Sequence, residues 1–178
     1  QVRRQKLRNI QRVYRITKKG RRDKMSRIDT LHPLIREEVR TLVNHVNTKV
    51  LTGNVKMIVT QGLRTFEEQA LLVAKRPKVT NALPGQSIHN YGLAFDFCLV
   101  QNGKTVWDVA KDFDGDKQPD WMEVVQVFKK NGYKWGGDFR SFRDAPHFEK
   151  TFCHSWQALL ELRKAKRTTN GYVNINAI

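Results

Sequence analysis

His89, Asp96 and His147 are the residues of this chain whose types and spacing suggest chemistry first. His89 and Asp96 stand seven positions apart in Ser87-Ile-His-Asn-Tyr-Gly-Leu-Ala-Phe-Asp96. Leu93 to Val100 is predicted to be a strand, bounded by Gly85 and Gly92 upstream and by Asn102-Gly103 downstream. Alternation along it places Leu93, Phe95, Phe97 and Leu99 on one face and Ala94, Asp96, Cys98 and Val100 on the other. Asp96 therefore sits mid-strand among small and apolar neighbours, where an ionised carboxylate is costly unless it is paired or coordinates a metal. His89, in the preceding turn, is close enough to be a second ligand. His147, in Asp144-Ala-Pro-His-Phe-Glu149, offers a third. Three N/O ligands with a fourth position open to water is the catalytic arrangement of zinc, not the structural one.

Three blocks in order, S-x-H-x-x-G-x-A-x-D at Ser87–Asp96, W-G-G-D at Trp135–Asp138 and D-x-P-H-F-E at Asp144–Glu149, resemble the zinc peptidases that cut peptidoglycan stem peptides. These are the D-alanyl-D-alanine carboxypeptidases and the L-alanyl-D-glutamate endopeptidases, many phage endolysins among them. The likeness runs from about Asp29 to Trp156. It is nearer the endopeptidase branch, because Asp144-Ala145-Pro146 stands where the carboxypeptidases carry a Glu and a Trp. The resemblance implies an α+β fold, a small antiparallel sheet packed with helices, of the DD-peptidase/Hedgehog-like type. It implies Zn2+ on His89, Asp96 and His147, Asp144 as general base, and Glu149 as a partner of a ligand histidine. It also implies Arg64 facing the site, with Ser87, Trp135 and Asp138 along the substrate cleft. The implied substrate is a peptidoglycan stem peptide, most closely its L-Ala–D-Glu bond. The enzyme would act on the cell wall, in the periplasm or outside the cell, including as a phage lysin made in host cytoplasm.

Several elements must position these residues. A helix start at Asp29-Thr-Leu-His-Pro33 leads into Leu34, Ile35, Val39, Leu42, Val43 and Val46 at helical spacing. Asn54 to Gln61 is a second predicted strand. Thr65 and Glu68 have capping-box spacing for a helix through Ala74, so Arg64 falls at a strand-to-helix turn from which a guanidinium can enter a cleft. Asn102-Gly103 predicts a hairpin to Lys104–Trp107. A helix from about Pro119 to Lys130, with Met122, Val125 and Phe128 as its apolar side, precedes the last block, and Trp156 to Lys166 is the final helix. His32, His45 and His154 lie outside every motif, and surface or half-buried structural roles are expected for them.

Asp112, Asp114, Asp116, Asp120 and Glu123 occupy relative positions 1, 3, 5, 9 and 12, the spacing of a calcium loop. Position 6, glycine in such loops, is Lys117, and Gly115 comes two residues early. Two readings follow: a Ca2+ site, or an acidic turn capping the next helix, whose N-terminus favours negative charge.

Net charge over 178 residues is +16, of which residues 1–27 hold twelve Lys/Arg against Asp23, a net +11. This basic arm is expected to touch an anionic wall or membrane surface, and Leu7, Ile10 and Tyr14 within it have helical spacing. Beyond it nothing forms a basic groove with stacking aromatics, so no specific nucleic acid is expected. Residues 28–167 are read as one domain acting as a monomer, and 168–178 as a tail. No run of 18 apolar residues predicts a membrane span. The chain opens on Gln1 with no leader pattern, as a processed or trimmed product would. Cys98 and Cys153 match no metal cluster and are expected as buried free thiols, a disulfide being the alternative. Two other functions fit the same residues: D-Ala-D-Ala carboxypeptidase, and a non-catalytic zinc-containing wall-binding module.

Overall fold

The structure, a computed structural model, describes residues 26–175; most of the basic arm, with Leu7, Ile10 and Tyr14, lies outside them. Helix α1 spans Pro33–His45 and starts where proline costs no hydrogen bond. His32 caps it, its Nδ1 accepting from the Leu34 amide at 3.2 Å. Its Nε2 lies 2.9 Å from the Val173 carbonyl, and this histidine is buried rather than at the surface or half-buried as the sequence suggests. His45 is exposed. Strand β1 (Val55–Gln61) follows a π-helical turn at Val46–Val50, and helix α2 (Phe66–Ala74) follows β1. Thr65 and Glu68 form both halves of the expected capping box on α2.

Strand β2 (Ala94–Gln101) is the centre of the sheet. It pairs antiparallel with β1, with β3 (Lys104–Val106) across the Asn102-Gly103 turn, and with β5 (His147–Glu149). Both turn residues have positive φ, 50° and 76°, as a tight two-residue hairpin needs. Strand β4 (Lys134–Trp135) pairs with β5, giving the order β1-β2-β5-β4. Helix α3 (Asp120–Lys130) precedes β4 and helix α4 (Trp156–Lys164) follows β5.

Burial alone does not alternate along β2: Ala94 and Cys98 of one face are fully buried, and so are Leu93, Phe95, Phe97 and Leu99 of the other. Phe128 of α3 packs on that face, its ring 5.2 Å from Phe95, 4.9 Å from Phe148 and 5.3 Å from Tyr133. Trp121 packs on Phe97 at 4.4 Å, so the buried side of α3 is Trp121, Val124, Val125 and Phe128, with Met122 only half-buried. Ile35 and Val39 of α1 belong to the same core.

The stretch read as a tail belongs to this core too. Residues Thr168–Thr169 (β6) and Tyr172–Val173 (β7) form a hairpin, and Val173 and Ile175 are buried in the main cluster. Both cysteines are free, but only Cys98 is buried; Cys153 is exposed. Burial pushes the Cys98 thiol up to about 12, so it is inert at neutral pH.

Because Phe128 closes the aromatic face, Phe128→Ala should lower unfolding stability by about 3–5 kcal/mol in urea titrations. A loss under about 1 kcal/mol would show that α3 does not seal that face.

Candidate active site

Asp96 and His147 are direct partners in the β2–β5 ladder, so their side chains rise from the same face of the sheet. His89 reaches them from a 3-10 turn at Ile88–Tyr91 that ends on Gly92. Gly92 has φ +70°, and a Cβ there would come within 2.8 Å of the His32 backbone nitrogen, so both conformation and space require glycine. The turn is tied to the Arg64 segment: the Arg64 amide donates to the His89 carbonyl at 3.0 Å, and Asn90 Nδ2 donates to the Arg64 carbonyl at 2.9 Å. Asn90 Oδ1 in turn accepts from the Gly85 amide at 2.9 Å.

The three side chains meet in one place. His89 Nε2 lies 3.1 Å from His147 Nδ1, Asp96 Oδ1 lies 3.2 Å from His89 Nε2, and Asp96 Oδ1 lies 3.4 Å from His147 Nδ1. Outer partners set the tautomers. His89 Nδ1 lies 3.0 Å from the Gly62 carbonyl, which only accepts, so that nitrogen carries the hydrogen. His147 Nε2 lies 3.2 Å from Glu149 Oε2 and likewise donates. In the neutral imidazoles the two facing nitrogens then present lone pairs, and Asp96 Oδ1 presents a third. Asp96 Oδ1 is buried with no hydrogen-bond partner. Three acceptors converge in this way around a cation.

The spacing fits zinc. Bonds of about 2.0–2.1 Å in a tetrahedron separate neighbouring ligand atoms by roughly 3.3–3.4 Å. Burial pulls the His89 pKa below its usual value, although Asp96 opposes it. Burial also opposes charge on His147, but the carboxylates of Asp96 and Glu149 prevail and push it up to about 9. Burial likewise disfavours ionised Asp96, yet the two imidazoles hold it well below the usual carboxylate range.

Arg64 is half-buried and points at this cluster, its Nη2 3.9 Å from Asp96 Oδ2. Gln69, one turn into α2, holds it there: its Oε1 accepts from Arg64 Nη1 at 3.0 Å while its Nε2 donates to the Ala82 carbonyl at 2.7 Å. Gln69 is fully buried, and the sequence alone does not single it out.

Asp144 is half-buried at the start of the turn that ends on His147, whose amide donates to the Asp144 carbonyl at 3.0 Å. Gly136 lines that turn so closely that a Cβ would collide with the Asp144 carbonyl oxygen and stand 2.9 Å from the His147 Cβ. Trp135 is half-buried, and its Nε1 donates to the Ala145 carbonyl at 2.7 Å, so the indole braces the turn. Trp121 donates to the same carbonyl at 3.3 Å. Phe139 adds a ring 5.8 Å from that of His147, another neighbour no motif announces. Ser87 is half-buried at the head of the His89 turn, its carbonyl accepting from the Asn90 amide at 2.9 Å. Asp138 is drawn elsewhere: it is 52% exposed and paired with Lys129 at 2.6 Å. His154 Nδ1 faces the carbonyls of Thr151 and Phe152, outside the cluster.

The five acidic residues are also gathered, into two overlapping groups, Asp112-Asp114-Asp120 and Asp114-Asp116-Glu123. Burial and the four neighbouring aspartates push Glu123 up to about 7.

An antiparallel sheet carrying a buried His–Asp–His cluster with an arginine pointing at it is a layout that suits a metallohydrolase. The D-alanyl-D-alanine carboxypeptidase model of the M15 peptidases matches residues 80–150. The chain is 38% identical over 125 residues to the peptidoglycan L-alanyl-D-glutamate endopeptidase CwlK of Bacillus subtilis (strain 168), across 67% of this chain and 72% of that protein. It is 31% identical over 99 residues to the L-alanyl-D-glutamate peptidase of Listeria phage A118, across 55% of this chain and 31% of that one. The crystal structure of the Serratia marcescens L-Ala D-Glu endopeptidase ChiX aligns with a TM-score of 0.47 at 23% identity, over 71% of this chain and 84% of that one. The chain belongs to the M15 peptidases, a family of zinc-dependent enzymes.

A zinc ion held by this cluster would have to displace the proton that His147 keeps up to about 9. Apparent zinc affinity, measured against a chelator of known pH dependence, should therefore rise roughly tenfold per unit from about pH 7 to 9 and then level off. A flat profile would show that no such proton is displaced.

Proposed function

We propose that this peptidase hydrolyses stem-peptide amide bonds of peptidoglycan, at the L-Ala–D-Glu bond, with zinc held by His89, Asp96 and His147. The observation that carries this is the triangle of facing ligand atoms with edges of 3.1–3.4 Å in a buried setting. A zinc ion held by these three residues would supply Lewis acidity and make water a stronger nucleophile near neutral pH. The protein does the remainder. The Asp144 carboxylate takes the proton of the attacking water and returns it to the leaving amine. Arg64, steadied by Gln69, donates to a substrate carboxylate or to the oxygen on which charge develops. Gly62 and Glu149 keep the two imidazoles turned inward. Ser87 lies at the mouth of the same turn and contacts the peptide.

The L-Ala–D-Glu bond is favoured because CwlK and the phage enzyme are both L-alanyl-D-glutamate peptidases. The matching family model carries the name of a D-alanyl-D-alanine carboxypeptidase, which keeps the terminal D-Ala bond as the second reading. Mass spectrometry of muropeptides released from purified murein separates them: new N-terminal D-Glu supports the first, loss of one D-Ala the second. The enzyme acts on the cell wall, and the basic residues 1–27 hold it to anionic wall or membrane surfaces.

Asp144→Ala should keep one equivalent of zinc and lose about 10²–10⁴-fold in murein clearing rate. His147→Ala should lose both metal and activity. Near-normal clearing by Asp144→Ala would remove the base assignment.

A further inference from the structure

The turn ahead of α3 holds more buried negative charge than a helix cap requires. Within Asp112–Glu123 the only basic residue is Lys117, against five carboxylates. A capping role would have these carboxylates accept from the first amides of α3. The residue before the helix is Pro119, which offers no side-chain cap. Asp120 Oδ2 accepts instead from the Phe113 amide, back in the loop.

Two of the acids are buried and unsatisfied. Asp120 is fully buried with Oδ1 unpartnered, and Glu123 is 8% exposed with Oε2 unpartnered. A buried carboxylate oxygen with no donor is costly unless a cation faces it. Each is aimed into a cluster: ligand atoms of Asp112, Asp114 and Asp120 lie within 4.8 Å of one another, as do those of Asp114, Asp116 and Glu123. Asp114 belongs to both groups, so the two overlap at one carboxylate.

The backbone meets the remaining condition. Lys117 stands where a calcium loop carries glycine, and its φ is +76°, the left-handed conformation that glycine is used for. Its amide donates to Asp112 Oδ2 at 2.8 Å, which closes the loop on the first carboxylate. Asp120, at relative position 9, is also the first residue of α3, and Glu123, at position 12, lies in its first turn. Gln118 falls at position 7, whose backbone carbonyl completes such a shell.

We propose that Asp112, Asp114, Asp116, Asp120 and Glu123 bind one Ca2+ ion. Oxygen donors of this number and charge suit calcium, whereas magnesium demands a tighter octahedron and retains its waters. The ion ties the loop to the first turn of α3. That turn carries Trp121, whose indole donates to the Ala145 carbonyl between Asp144 and His147. Calcium therefore stiffens a support of the catalytic turn without touching substrate.

The test uses the zinc-loaded full chain in calcium-free buffer, titrated with CaCl2 by calorimetry and melted with and without it, with MgCl2 at equal ionic strength as control. The expected result is one equivalent bound with Kd below about 1 mM and a Tm rise of about 5–10 °C at 100-fold Kd, magnesium giving far less. Glu123→Gln should weaken calcium at least tenfold. Asp116→Asn, at an exposed position, should do the same and decides the matter should Glu123→Gln fail to fold. No saturable heat and no calcium-specific Tm rise, or unaltered binding by the folded variants, overturns the site. Neither readout involves murein hydrolysis, so the outcome is independent of the proposed reaction.

Discussion

Two imidazole lone pairs and a carboxylate oxygen held within 3.1–3.4 Å of each other is an arrangement that repels itself. Left alone, such groups would turn away or take up a proton, as the raised pKa of His147 expresses. They stay because every side chain involved is fixed from behind. Asp96 and His147 share one rung of the β2–β5 ladder. His89 is fixed by the Gly62 carbonyl and by a turn that only glycine can end. The geometry thus suits a divalent cation as it stands, and a metal bound there would require little reorganisation.

The rigidity comes from the opposite face of the same strands. Phe95, Phe97 and Phe148 alternate with Ala94, Asp96 and His147, so the residues that bury the sheet and those that bear the chemistry are adjacent in sequence. Sealing the aromatic face with Phe128 and Trp121 therefore fixes the register on the chemical face. A one-residue slip would send Asp96 into the core and a phenylalanine into the site.

A second support is the turn from Asp144 to His147. Two indoles, from Trp121 and Trp135, converge on the Ala145 carbonyl, and Gly136 admits the Asp144 carbonyl where any side chain would exclude it. Helix α3 contributes to this turn through Trp121 while its first turn closes the acidic loop. One short helix thereby joins a support of the Asp144–His147 turn to an acidic cluster that includes the buried carboxylates of Asp120 and Glu123.

From the sequence, the motif residues, the alternation of β2, the capping box at Thr65 and the hairpin at Asn102-Gly103 could all be read. Each depends on neighbours within a few positions, where periodicity, caps and turn chemistry act. Tertiary structure decided what depends on distant partners. It buried His32 against Val173, 141 residues away, and drew the presumed tail into the core. It gave Arg64 its brace in Gln69, turned Trp135 onto a backbone carbonyl, and sent Asp138 to Lys129 at the surface. It also placed Lys117 in the conformation its residue type argues against. Local chemistry is written along the chain, but which lone pair faces which is set only when β2 and β5 pair and the core closes behind them.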